Sequence, residues 1–257
     1  MIKEMNYDAN FVSLVTELAA INPQLIFKKS EEGEDAKVSV KAIEGTDKSV
    51  CFFLDAPASA FDFKSDSLAV IDFKRFVSYY NTFNKPNKDE KLADSPVLSV
   101  EYNDDEATEA IVMHIKSKKG KASFRHRLAN EDVIVKPTFS KVKFPSTDAK
   151  FSLTKNQIDE LNKLISLTAA DRIKWSFNGS LCTITLFNTR TSDTYENDYA
   201  LSTSAETPFE FTTLSKGFGL LPEGSFNVEV CKNGIMDFKQ DRDDKIDLQL
   251  YIAKNGK

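Results

Sequence analysis

The side chains from which acid–base, nucleophilic or metal chemistry could be built are few. They are His114 and His126, Cys51, Cys182 and Cys231, and two acidic runs, Asp104-Asp105-Glu106 and Asp241-Arg242-Asp243-Asp244. His114 lies inside the apolar run Ile111-Val112-Met113-His114-Ile115, where a packed strand histidine fits better than a catalytic one. The cysteines are far apart and no His/Cys pair has the spacing of a metal site, while no glycine-rich loop could cradle a phosphate. Acidic runs of this kind are typical of solvated turns. The sequence therefore names no catalytic residue, cofactor or metal, and points away from an enzyme.

Bulk properties agree with a folded intracellular protein. Hydrophobic residues make up 41% and charged residues 28% of 257, with 20 Phe available for a core. No apolar run approaches the roughly 20 residues of a membrane span, and the N-terminus lacks a secretory signal, so a cytoplasmic setting without membrane is expected. Three dispersed cysteines suit reduced core thiols. A net charge of -5 excludes binding to nucleic acid by a uniformly basic surface, though a fold could still concentrate a local basic one.

The elements that must position any functional side chain read twice along the chain. Phe11, Leu14, Val15 and Leu18 mark a first helix and Phe73, Phe76, Val77 and Tyr80 a second, N-capped by Asp72 and ending near Asn84. Strands are expected at 24–28, 36–43, 49–54, 97–102, 110–116 and 122–128. After a stretch with Pro137 and Pro145, Thr154 and Gln157 form a capping box for a third helix carrying Ile158, Leu161, Leu164 and Ile165. Strands at 172–177, 181–188 and 194–201 follow, then a fourth helix with Phe211, Leu214 and Phe218 inward, then strands at 225–231, 234–240 and 245–253. The expectation is an α+β chain of two tandem copies: a domain over 1–135, a connector over 136–150 and a second domain over 151–257.

This order resembles the DNA sliding clamps of viruses, eukaryotes and archaea, and most closely those of T-even-like bacteriophages. The local matches are Leu18-Ala19-Ala20-Ile21-Asn22, Phe151-Ser152-Leu153 leading into Ile158, Leu220-Leu221-Pro222-Glu223-Gly224-Ser225-Phe226, and Leu250-Tyr251-Ile252-Ala253. The resemblance implies two clamp-fold (processivity-fold) domains, each with two helices on antiparallel sheets, closed head to tail into a homotrimeric ring. It implies double-stranded DNA in the hole, and DNA polymerase and clamp loader docking on one face; a viral clamp would work in the host cytoplasm.

Projecting the helices at 100° per residue gives the polar faces that a hole of this kind would present. Arg75 and Ser78 lie opposite the apolar stripe of the second helix, with Lys74 on its flank and Lys85 just beyond its end. Lys163 and Asn156 face outward on the third and Lys216 on the fourth, while the first offers only Ser13, Thr16, Ala20 and Glu17. Such cations could reach phosphates without reading sequence. Loops carrying Lys28-Lys29 and Lys118 to Lys121, Lys119 among them, could add positive potential.

Ring closure in this family joins an edge strand of one subunit to an edge strand of the next, which by family order fall near 122–128 and 193–201. The first carries Arg125 and Arg127 and the second Asp193, Glu196 and Asp198, charges suited to fixing register. The family's partner pocket maps to Ile43, Val50, Val142, Phe144, Pro145, Tyr251 and Ala253. Two other readings remain: a viral structural or adaptor protein, and a single-stranded DNA-binding protein without encirclement, which would show exposed aromatics for base stacking.

Overall fold

In the computed structural model, residues 1–30, 36–84, 95–118, 121–134, 144–191 and 193–254 are described. Lys85, Lys119 and Val142 lie outside them. The chain divides into two units, Met1–Ala42 with Leu54–Pro137, and Ile43–Phe53 with Thr138–Lys257. The second therefore takes in a segment, Ile43–Phe53, that a linear division near residue 135 assigns to the first half.

In the first unit, α1 (Ala9–Leu18) and α2 (Phe73–Phe83) accompany an antiparallel sheet in the order β1 (Ile2–Met5), β6 (Val97–Tyr102), β7 (Ala110–Lys116), β8 (Ser123–Arg127). A second strand group contains β2 (Leu25–Lys29), flanked by β3 (Lys37–Ile43) and β5 (Ser67–Val70), with the C-terminal half of β4 (Val50–Pro57) beyond β3. Neither β1 nor β5 is legible in the sequence, because four residues are too few to show a period.

The start of α2 is fixed as its sequence suggests: Asp72 Oδ1 accepts from the Arg75 amide at 2.9 Å, satisfying a helix-end donor. Its inward residues Phe73, Phe76, Val77 and Tyr80 are buried. Phe73 lies 5.7 Å from Phe27, which stacks on Phe61 at 4.7 Å, so the phenylalanine-rich composition becomes a continuous aromatic core.

The second unit runs in sheet order β10 (Arg172–Phe187), β11 (Thr194–Leu214), β9 (Ala149–Leu153), β12 (Phe226–Cys231), β13 (Ile235–Gln240), β14 (Asp247–Ala253), with Val50–Phe53 of β4 beside β14. α3 (Lys155–Thr168) opens with the expected capping box: Thr154 Oγ1 accepts from the Gln157 amide, and Gln157 Oε1 accepts from the Thr154 amide at 2.8 Å. Ile158 and Leu161 are buried; Leu164 and Ile165 are only half-buried.

Two expectations need correction. Where three separate strands were expected, β10 and β11 form one long antiparallel ribbon with register shifts at Gly179, whose φ of 57° glycine adopts without penalty. The fourth helix, α4, spans only Ser215–Phe218. Phe211 and Leu214 belong to β11, where Phe211 pairs with Trp175 and Thr213 with Ile173. Their spacing of three mimics a helix, but Phe211 and Thr213 are buried while Glu210 is exposed, and the β-branched Thr212 and Thr213 favour extended backbone. The Trp175 indole N–H donates to Thr213 Oγ1 at 3.0 Å, so the buried donor is satisfied.

Cys51, Cys182 and Cys231 are free and buried. Burial, with the Asp237 carboxylate adding to it, pushes the Cys51 thiol up to about 12. The acidic runs are turn structure: Asp104 accepts from the Thr108 amide at 3.0 Å, and Arg242 pairs with Asp244.

Candidate nucleic-acid interface and partner pocket

The cations singled out in the sequence differ sharply in what surrounds them. Lys74 and Arg75 are exposed on α2, a helix whose sequence contains no acid. Arg75 Nε donates to the Tyr79 hydroxyl at 2.6 Å, and its guanidinium lies 5.6 Å from the centre of that ring. This holds one face of the guanidinium while leaving the group open to an anion. Lys163 is exposed on α3 and forms no ion pair among the described residues, but Asp159 and Glu160 are exposed on the same helix and offset its charge.

Lys216 and Lys28 are already neutralised. Lys216 contacts Asp47 and lies 3.6 Å from Glu44, a carboxylate that also accepts from the amides of Thr46, Asp47 and Lys48. The Asp47 carboxylate foremost, with Glu44, raises the Lys216 ammonium above its ordinary range. Lys28 is on strand β2 rather than in a loop and pairs with Glu131 at 2.7 Å; Lys29 pairs with Asp62 at 3.0 Å. Long side chains on a strand reach the acids of neighbouring segments, which linear sequence does not reveal. Among the described candidates, those on a helix with no acid of its own are thus Lys74 and Arg75.

Among the described residues β8 stands at the edge of its sheet, paired with β7. Its Arg125 and Arg127 are exposed and alternate with Phe124 and the buried His126. Arg125 lies 3.2 Å from Glu101, which also meets His114 Nε2 at 3.0 Å. Burial lowers the proton affinity of His126, whose ring lies against Phe76 and Tyr79.

In β11, Thr194 to Ala200 pair with β10 on one side, whereas β9 reaches β11 at Thr203. Asp193, Glu196 and Asp198 are exposed there. Thr183 donates to Asp198 at 2.6 Å and Thr185 to Glu196 at 3.1 Å, which orders two of the three carboxylates.

Of the apolar positions assigned to a partner pocket, the structure brings Ile43, Phe144 and Tyr251 together, around Cys51 and Phe53 and with Ile235. Tyr251 meets Phe53 edge-on at 5.8 Å, and burial above all raises its phenol. Ala253 shares the strand face of Tyr251 and pairs with Ile235, while Pro145 is exposed. Val50 does not join them: it alternates with Cys51 and packs near Gly217, where an added Cβ would come within 2.9 Å of its methyl. The sequence carries no signal for Cys51 and Phe53 in this cluster, because the run Val50-Cys51-Phe52-Phe53-Leu54 is apolar throughout and has no alternation to show which side faces Tyr251.

No protein-family model matches the chain, and no curated protein matches it. Solved structures do. PCNA from Thermococcus kodakaraensis superposes with a TM-score of 0.70 at 15% identity, over 99% of this chain and 100% of that one. A. fulgidus PCNA, solved with the C-terminal region of FEN-1 bound, gives 0.67 at 11% identity, over 100% and 99%. The H. pylori beta clamp in complex with 5-chloroisatin gives 0.66 at 12% identity, over 100% of this chain and 66% of that one. The chain has the clamp fold, α+β with two clamp-like units, as the sequence led us to expect.

Proposed function

We propose that the protein is a DNA sliding clamp: three copies close head to tail around duplex DNA and tether a DNA polymerase, giving processivity, after opening by a clamp loader. The observation that carries this reading is the two-unit clamp fold, matched over essentially the full length of the archaeal PCNA chains. The acid-free outer face of α2 supports it, since Lys74 and Arg75 offer phosphate contacts that read no base and so permit sliding. The complementary charges on β8 and β11 suit a heterologous contact between copies.

The apolar cluster around Tyr251, with Ile43, Phe144 and Ile235 half-buried at its margin, is the proposed docking site for polymerase and loader peptides, because aromatic and aliphatic side chains favour contact with an apolar anchor. The C-terminal region of FEN-1 bound to A. fulgidus PCNA supports peptide docking on this fold. We place the protein in the cytoplasm, that of the host if the clamp is viral. Retention of an oligomer on circular DNA, and its loss when the circle is cut, tests encirclement. A protein that leaves both substrates equally fast, or stays a monomer throughout, overturns the reading.

A further inference from the structure

In the second unit the sheet opens where β9 meets β11. Among the described residues the two strands share one bridge, Thr203 with Lys150, although an antiparallel register would carry the pairing on toward residues 147–149. The lead-in to β9 leans the other way. The Asp148 amide donates to the Val230 carbonyl of β12 at 2.7 Å, while Asp148 Oδ2 accepts from the Lys232 amide at 2.9 Å and from the Ser146 hydroxyl at 2.7 Å. These bonds hold 146–148 against β12 and the turn after it. On its other side β11 is irregular at the same level: Ala205 pairs with Gly179 and Phe209 with Phe177, so Glu206, Thr207 and Pro208 stand opposite Asn178 and pair with neither neighbouring strand.

Between the two lies a hollow of about 210 Å³, with Thr147, Asp148 and Lys232 on one wall and Thr203, Ser204, Glu206, Thr207 and Phe209 on the other. That is below the roughly 300–1,000 Å³ of small-molecule pockets and suits one long side chain. Lys232 Nζ lies 3.9 Å from Asp148, so those two charges offset each other, and the Lys232 amide above all holds the Asp148 carboxyl below its ordinary range. Glu206 is exposed and forms no ion pair among the described residues, and the hydroxyls of Thr203, Ser204 and Thr207 make no hydrogen bond there. Phe209 is half-buried and stacks on the buried Phe177 at 4.7 Å. The uncommitted chemistry is thus one negative charge, three hydroxyl oxygens and an aromatic ring.

We propose that this hollow binds an arginine side chain of a partner protein, presented on an extended segment that lies along Glu206 and Thr207 of the bulged β11. Charge complementarity selects a cation. Arginine suits the hollow better than lysine, because its five N–H donors serve several acceptors at once and its planar guanidinium stacks on a ring. Peptide groups left without a strand partner at the bulge offer main-chain bonds to the segment, as an exposed sheet edge does. The hollow shares no residue with the Tyr251 cluster or with the helix cations, so it adds a second kind of peptide to those the protein takes and does not depend on ring closure.

The test uses the full chain labelled with nitrogen-15 and a capped pentapeptide with a central arginine among alanines, read by amide chemical shifts. Saturable shifts centred on Thr203, Ser204, Thr207 and Lys232 are expected at millimolar peptide. Replacing the arginine by citrulline, its uncharged analogue, should weaken binding about tenfold, and so should Glu206→Gln in the protein, because each removes the charge from one hydrogen-bonded pair. Thermal unfolding of Glu206→Gln should be unchanged, since the side chain is exposed. Absence of shifts, shifts centred on other residues, or equal affinity for the citrulline peptide or in the Glu206→Gln variant overturns the proposal. Such a failure leaves the ring reading standing, and a chain that binds the peptide but never encircles DNA keeps this site while overturning the ring.

Discussion

Lys216 Nζ lies 3.6 Å from Glu44 Oε1, and that carboxylate holds the three successive amides of Thr46, Asp47 and Lys48 at 3.1, 2.7 and 3.0 Å. A lysine that sequence projection assigns to DNA is thereby the clasp of a turn. Lys216→Ala should leave the salt dependence of duplex affinity unchanged while loosening the 44–48 turn. Hydrogen exchange at the Thr46 and Asp47 amides reads the second effect; a reduced salt slope would return Lys216 to the DNA surface.

The same carboxylate predicts an acid limb in stability. Burial opposes ionisation of Glu44, but the amides of Asp47 and Thr46 and the Lys216 charge outweigh it, and its proton affinity falls below the ordinary glutamate range. A depressed folded value means the stabilisation is complete above the unfolded value, about 4.3, and is lost as pH falls through the folded one. Glu44→Gln should therefore reduce stability at neutral pH and flatten its decline below about pH 5, measured by urea unfolding across pH.

If α2 is the principal cationic contact, Lys74→Ala with Arg75→Ala should lower the slope of log affinity against log salt by about 2. Lys163→Ala should change it less, because Asp159 and Glu160 already offset that charge. Equal slopes for both variants would mean the lining is shared rather than concentrated.

Tyr251→Ala removes the wall against which Phe53 packs edge-on at 5.8 Å. A short labelled peptide bearing paired phenylalanines should lose binding to this variant, read by fluorescence anisotropy, whereas Pro145→Ala, at an exposed position, should leave binding within about twofold. Undiminished binding to Tyr251→Ala would move the docking site elsewhere.

Thr213→Val keeps side-chain shape but removes the acceptor of the buried Trp175 N–H. The orphaned donor should cost about 1–3 kcal/mol in equilibrium unfolding, with near-ultraviolet dichroism reporting the tryptophan environment. A neutral substitution would mean water or another acceptor serves the indole.

What the sequence by itself determined was local and periodic. Asp72, Thr154 and Gln157 fix two helix starts because capping needs only a side chain and amides two or three residues away, and the stripes of α2 and α3 follow from 3.6 residues per turn. The repeated order of helices and strands was also legible, and with it the clamp fold. Only the tertiary structure decided the rest. Phe211 and Leu214 became strand because a distant partner, Trp175 in β10, supplies the pairing that their helical spacing cannot reveal. Lys28 and Lys216 are neutralised by Glu131, Glu44 and Asp47, residues far off in sequence, and Val50 turns away from the Tyr251 cluster while Cys51 and Phe53 turn into it. A helix face is set by neighbours a turn away, whereas charge neutralisation, strand pairing and the face of an all-apolar strand are set by what folding brings alongside.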